Sequence, residues 1–297
     1  LTSTVLTSVE KLAAGKSTAT TFTVDVADLV ASGSVVGSTG VDTLVVADST
    51  IDLSSITLSS VEIIKAGTAS ATTFTLGSNL ATLGTSGQIV GLSGNDTLTT
   101  TGTSLDLSSA AVSSVEILSG STNGTTFKLN QADLVASGSL VGDATATTDI
   151  VIAMDTQLNL SSTAASEIDK LQAGKSTATT FTIDLADLNS SSATVAGSSG
   201  NDTLVIIDTG FDLTSITLTS VEILQAGKSG GTTFTLDSDL TSVTSITGVS
   251  GTGSVDTLIV TGTAFDLSAT ALSSVEILQA GNVAATTFTL DQADLVS

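Results

Sequence analysis

The sequence predicts an all-β fold: a parallel β-solenoid (β-helix) of repeats about 53 residues long, with two or three coils per repeat. Three observations carry this expectation. Glutamates recur at Glu10, Glu62, Glu116, Glu167, Glu222 and Glu276, spaced 51 to 55 residues apart. Phenylalanines recur at Phe22, Phe74, Phe127, Phe181, Phe234 and Phe288, spaced 52 to 54 apart. Between these markers the chain breaks into short apolar/polar alternations bounded by Gly, Ser or Asp, the period-two pattern of half-buried strands. Self-similarity at a fixed period marks an architecture in which each unit buries its apolar face against its neighbours. Residues 1–297 read as one continuous array of roughly five and a half repeats.

One well-kept copy shows why each piece extends. In Val221-Glu222-Ile223 the apolar residues share a face and the Glu points away. Ala226-Gly227-Lys228 is a turn, Gly accepting positive φ without steric cost. In Thr233-Phe234-Thr235-Leu236 the Phe and Leu face one way and the β-branched threonines the other. Asp239-Leu240 and a Ser/Thr/Gly stretch follow, then Asp256-Thr257-Leu258-Ile259-Val260 and Phe265-Asp266-Leu267-Ser268. A 53-residue unit is short for an immunoglobulin-like sandwich of about 100 residues, although tandem sandwiches of two units each are the alternative. At two or three coils per repeat the array holds roughly 11 to 16 coils.

Composition narrows the function classes. The formal charge is −22, and every one of the seven basic residues is Lys. This argues against nucleic acid and anionic membranes as partners, since both are read by basic patches, and favours divalent counter-cations. No apolar run is long enough for a membrane span. There is no His, Cys, Tyr, Trp or Arg for acid–base, nucleophilic or oxyanion roles, so the chain is expected not to be an enzyme. Leu1 opens in mid-repeat, so any targeting signal is expected outside the sequence.

Of the 29 Asp and Glu, 27 fall into repeating slots, leaving Asp143 and Asp169. A catalytic acid is normally unique, so this periodicity points to architecture. The sharpest motif is Gly91-Leu92-Ser93-Gly94-Asn95-Asp96-Thr97-Leu98-Thr99, repeated around Asn201-Asp202 and around Asp42, with a shifted form before Asp256. The copy at Asp149 reads as having lost both glycines. Two readings stand side by side: a β-turn entering a strand, or an oxygen-rich cation site formed by Asp42, Asn95, Asp96, Asn201, Asp202 and Asp256.

This motif resembles the calcium-binding nonapeptide of RTX proteins, without its second Gly and without its tandem spacing. The wider unit (Asp-Thr-Leu-Val, Asp-Leu-Ser, Ser-Val-Glu-Ile-Leu, Thr-Thr-Phe-Thr-Leu) is similar to repeats of large secreted bacterial surface proteins, the S-layer proteins and RTX-type adhesins. The resemblance implies an extracellular or cell-surface location and Ca²⁺ dependence. The function expected is structural: a filament, S-layer or adhesin stalk that self-associates. The alternatives are a calcium-binding adhesin module, a β-helix enzyme acting on polysaccharide, or an ice-binding solenoid displaying Thr-Phe-Thr pairs. Lys16, Lys175 and Lys228 are candidates for lateral contacts with the acidic turns of a neighbour.

Overall fold

The computed structural model describes residues 6, 8–77, 80, 83, 87–145, 148–188, 193–237, 242–282 and 284–295. Among them the fold is an all-β parallel solenoid with about 23 residues per turn. The described residues hold 32 strands in about 11 turns, and among them there is no α-helix. The chain divides into two compact units, Leu1–Ile150 with Ser162–Ala164, and Val151–Ser161 with Ala165–Ser297.

In the first unit, strands of four parallel sheets form the faces, one sheet beginning there with Ser104–Asp106 and Thr126–Leu129. The first stacks Lys11–Ala13, Ser34–Val36 and Thr57–Ser59. The second stacks Thr21–Val24, Thr43–Val46, Ile63–Ala66, Gly87–Val90 and Ala110–Ser113. The third stacks Thr50–Asp52, Thr73–Leu76, Thr97–Thr100, Ile117–Ser119 and Ser139–Val141. The second unit repeats the plan, its longest sheet running from Gln157–Asn159 through Thr180–Ile183, Thr203–Ile206, Ile223–Ala226 and Ser245–Thr247 to Ala271–Ser273.

Alternation produces the core. In the third sheet, Ile51, Phe74, Leu98, Leu118 and Leu140 lie directly over one another, and each is at most 3% exposed. In the second unit Leu158, Phe181, Leu204, Leu224 and Ile246 form the equivalent column. Burying each such side chain contributes about 1.5–3 kcal/mol. Thr73, Thr75, Thr97 and Thr99, the alternate residues, lie half-buried on the outer face. Phe and Leu therefore share the inner face, as the alternation indicates.

One repeat supplies six strands and one 3₁₀ turn. The copy starting at Asp96 runs Thr97–Thr100, Ser104–Asp106, Ala110–Ser113, Ile117–Ser119, Thr126–Leu129, the turn Gln131–Asp133, and Ser139–Val141. Seven segments on three faces make two and a third turns. The same slot therefore moves one sheet onward with every repeat. Thr43–Val46 lies in the second sheet and Thr97–Thr100 in the third; in the other unit, Thr203–Ile206 and Thr257–Val260 lie in successive sheets.

Where a 3₁₀ turn takes the place of a strand, it ends the sheet beneath. Gln131–Asp133 packs on Ala110–Ser113, the last strand of its sheet. There the Val112 N–H donates to Asp133 Oδ1 at 3.3 Å. The aspartate thus takes up a donor on an otherwise open strand edge.

The glutamate alignment needs one correction. The residue before Val-Glu is left-handed in five copies: Ser8, Ser60, Ser114, Ser220 and Ser274 have φ of 49–59°. Glu167, with φ 57°, occupies this serine position, not the glutamate one. Asp169 holds the glutamate slot. Its carbonyl accepts from Thr194 N at 2.8 Å, as that of Glu222 accepts from Ser245 N at 3.0 Å. Asp169 is therefore a repeat residue, and the slot spacing becomes 52, 54, 53, 53 and 54.

Candidate functional site

The polar cluster that recurs most faithfully is built around the aspartate preceding Thr-Leu. Asp42, Asp96, Asp149, Asp202 and Asp256 are 0% exposed. At Asp202, Oδ1 accepts from Thr179 N, one turn below, and Oδ2 from Ser198 N, both at 2.6 Å. Its own N–H donates to Glu222 Oε2, one turn above, at 2.7 Å. Its carbonyl accepts the N–H groups of Glu222 and Ile223, both at 3.0 Å. A single residue thus fastens three successive turns through backbone groups that would otherwise be buried without partners.

The same geometry recurs at Asp42 with Thr20, Ser38 and Glu62. It recurs at Asp96 with Thr72, Leu92 and Glu116, and at Asp256 with Thr232, Val249 and Glu276. At Asp149 the acceptors serve Thr125 N and Asp143 N. Asp143 thus stands at the position of Ser38, directly after Gly142. This copy keeps its first glycine in a longer loop, and the copy at Asp256 keeps it as Gly248.

The glycines have a steric role. A Cβ on Gly197 would sit 1.8 Å from the Ser220 carbonyl oxygen and 2.7 Å from Asp202 Oδ2. A Cβ on Gly200 would sit 2.3 Å from Ala178 N. Both glycines of Gly-x-x-Gly-x-Asp are fixed by the approach of neighbouring turns. Hydrogen bonding also sets the charge state: the Ser38 N–H holds the Asp42 carboxyl below its usual range, against the opposing effect of burial.

The structure does not gather the residues expected for calcium into one cluster. Asp42 and Asp96 lie at the starts of strands in different sheets, as do Asp202 and Asp256. Each carboxylate is buried, with its oxygens directed at N–H donors. Asn95 and Asn201 are exposed, and exposed Val41 and Val255 stand at the same position in other copies, where they offer no side-chain oxygen. Among the described residues, no group of three or more acids is placed to share a metal ion.

Another acid slot, the aspartate opening Asp-Leu-Ser/Thr, serves a corner. Asp106 Oδ1 accepts from Ser108 N and Oγ at 3.1 and 2.5 Å, and Asp212 does the same with Thr214. Asp106 also pairs with Lys128 at 3.0 Å, both about two-fifths exposed. Burial raises the Asp106 pKa, but Ser108 and then Lys128 outweigh it and hold the carboxyl below the usual range.

Sequence slots kept apart Asp184, Asp187 and Asp208, but the fold gathers them around the 3₁₀ turn Leu185–Leu188. Burial first, then the charges of Asp184 and Asp208, push Asp187 up to about 7 against the hydrogen bonds of Asp184 N and Ala165 N. The signal available in the sequence was Asp-x-x-Asp closing on a tight turn.

Comparison with known proteins gives no match: no family model, characterised protein or solved structure is significantly similar to the chain.

Proposed function

We propose that this chain is a structural element of a cell exterior, a solenoid whose repeats serve as an assembling or spacing component. One observation carries the reading: the acids that recur most faithfully are spent on holding turns together. The buried aspartates bind backbone N–H groups above and below, and chemistry that acts on a substrate needs such groups free. The extracellular placement rests on the resemblance of its segments to bacterial surface repeats.

Negative-stain electron microscopy of the purified chain, in calcium and in chelator, tests the proposal. Filaments or sheets in both conditions support assembly driven by the protein surface. Order seen only with calcium would support assembly through cations bridging the acidic surface. Dispersed particles at every concentration in both conditions would overturn self-assembly.

A further inference from the structure

We propose that the 3₁₀ corner at Leu185–Leu188 is a proton-operated clamp, closed on the strand residue Ala165 when Asp187 is protonated and loosened when it ionises. Three carboxylates converge on this one turn. Asp187 Oδ2 accepts from Asp184 N at 2.9 Å and its Oδ1 from Ala165 N at 3.2 Å. Asp208 Oδ2 accepts from Leu185 N at 2.6 Å, and Asp184 Oδ1 from Ala186 N at 2.8 Å. Asp187 is 1% exposed while its two acidic neighbours are more open to water. The groups acting on its charge are Asp184, from the residue leading into the turn, and Asp208, from the segment stacked beside it. Both are negative, so ionising Asp187 places a third like charge at the corner, in its least hydrated position.

The same backbone contacts recur at a second corner. Asp25, Asp28 and Asp48 make the same bonds around Val26–Asp28: Asp25 N to Asp28, Val26 N to Asp48 and Ala27 N to Asp25, at 3.2, 2.8 and 3.0 Å. A carboxyl held protonated near neutrality supports the clamp at Asp187, because its ordinary value of 3.8 is raised to about 7. The sign follows from linkage. The folded corner holds a proton that the unfolded chain releases above about pH 4, so its stability falls as pH rises from about 4 to 7 and is level beyond.

Hydrogen exchange of the intact chain, followed by mass spectrometry at pH 5 to 8 and corrected for intrinsic rates, reads this directly. Peptides covering 184–188 and Ala165 are expected to lose protection between pH 5 and 8, while those from the Phe181–Leu204–Leu224 core column do not. Asp208→Asn, which keeps an acceptor for Leu185 N, is expected to shrink that loss. Asp187→Asn is expected to abolish its pH dependence, and Asp184→Asn provides a second reading should that variant not fold. Protection of the corner that is flat with pH in the unmodified chain would overturn the proposal. So would a pH-dependent loss of the same size in Asp208→Asn.

Discussion

The buried aspartate and the glycine five residues before it are the positions where single atoms decide most. Asp202→Ala leaves Thr179 N and Ser198 N without an acceptor. At about 1–3 kcal/mol for each stranded donor, the expected loss is about 3 kcal/mol or more, read as a fall in the urea midpoint. Asp212→Ala gives up only the exposed turn bonds from Thr214 N and Oγ1 and is expected to cost about 1 kcal/mol. Gly197→Ala drives a methyl into the Ser220 carbonyl and is expected to cost about 3 kcal/mol or more. Gly210→Ala, with nothing within 4 Å of the new methyl, is expected to be neutral or to stabilise by up to about 1 kcal/mol. The glycines and the aspartate were visible in the sequence as a motif. Their role was not, because an aspartate that binds a cation and one that binds backbone N–H groups both sit after a glycine turn. Only the position of the next coil tells them apart.

At the level of the element, Thr-Phe-Thr-Leu was legible because it alternates cleanly and burial follows that alternation, whereas in Val221-Glu222-Ile223-Leu224 the buried pair is Val221 and Leu224 and Ile223 lies on the outer face. The turn before Val-Glu was not legible, since its defining property is a backbone angle and not a side chain. Aligning on the letter Glu placed Glu167 with Glu116, when its φ of 57° puts it with Ser114. A left-handed conformation costs a residue with a Cβ about 1–2 kcal/mol, and a glycine almost none. Glu167→Gly is therefore expected to raise stability by up to about 1 kcal/mol, and Glu167→Val to lower it, as melting temperatures would record. The acid corners were missed for a related reason. Asp25, Asp28 and Asp48 are separated by 3 and 20 residues, and only the return of the chain after one turn makes the third a neighbour of the first two. This is also where a wide threonine array fails to form. The outward Thr73/Thr75 and Thr97/Thr99 stack as a block, but the next strand in that sheet replaces them with Ile117 and Ser119, and the following repeat starts its block on another face.

For the molecule as a whole, the mismatch between a 53-residue repeat and a 23-residue turn is the governing quantity. The repeat was plain in the sequence, whereas two and a third turns were not, because no residue type marks a turn. Two deletions in the first unit separate the two periods. Removing residues 43–96 joins Asp42 to Thr97 and excises one complete repeat. Every strand then still lies between the slots it normally contacts, and Asp42 meets Glu116 in place of Glu62. Everything downstream rotates together by one face, which leaves the inward columns intact. Removing residues 43–65 excises about one turn and keeps each face in step, but it joins Asp42 to Ala66. Asp42 then loses both the strand it introduces and Glu62, so the carbonyl that receives Glu62 N and Ile63 N and the N–H that reaches Glu62 Oε2 are left without partners. If turn length alone held the stack, the shorter deletion would be the milder. Because the aspartate fastens specific slots, the 54-residue deletion is expected to unfold cooperatively near the parent urea midpoint. The 23-residue deletion is expected to lose about 3 kcal/mol or more, from its several stranded polar groups. Equal stability of the two chains would mean that the solenoid tolerates any strand over any other, and that the aspartate contacts do not set its register.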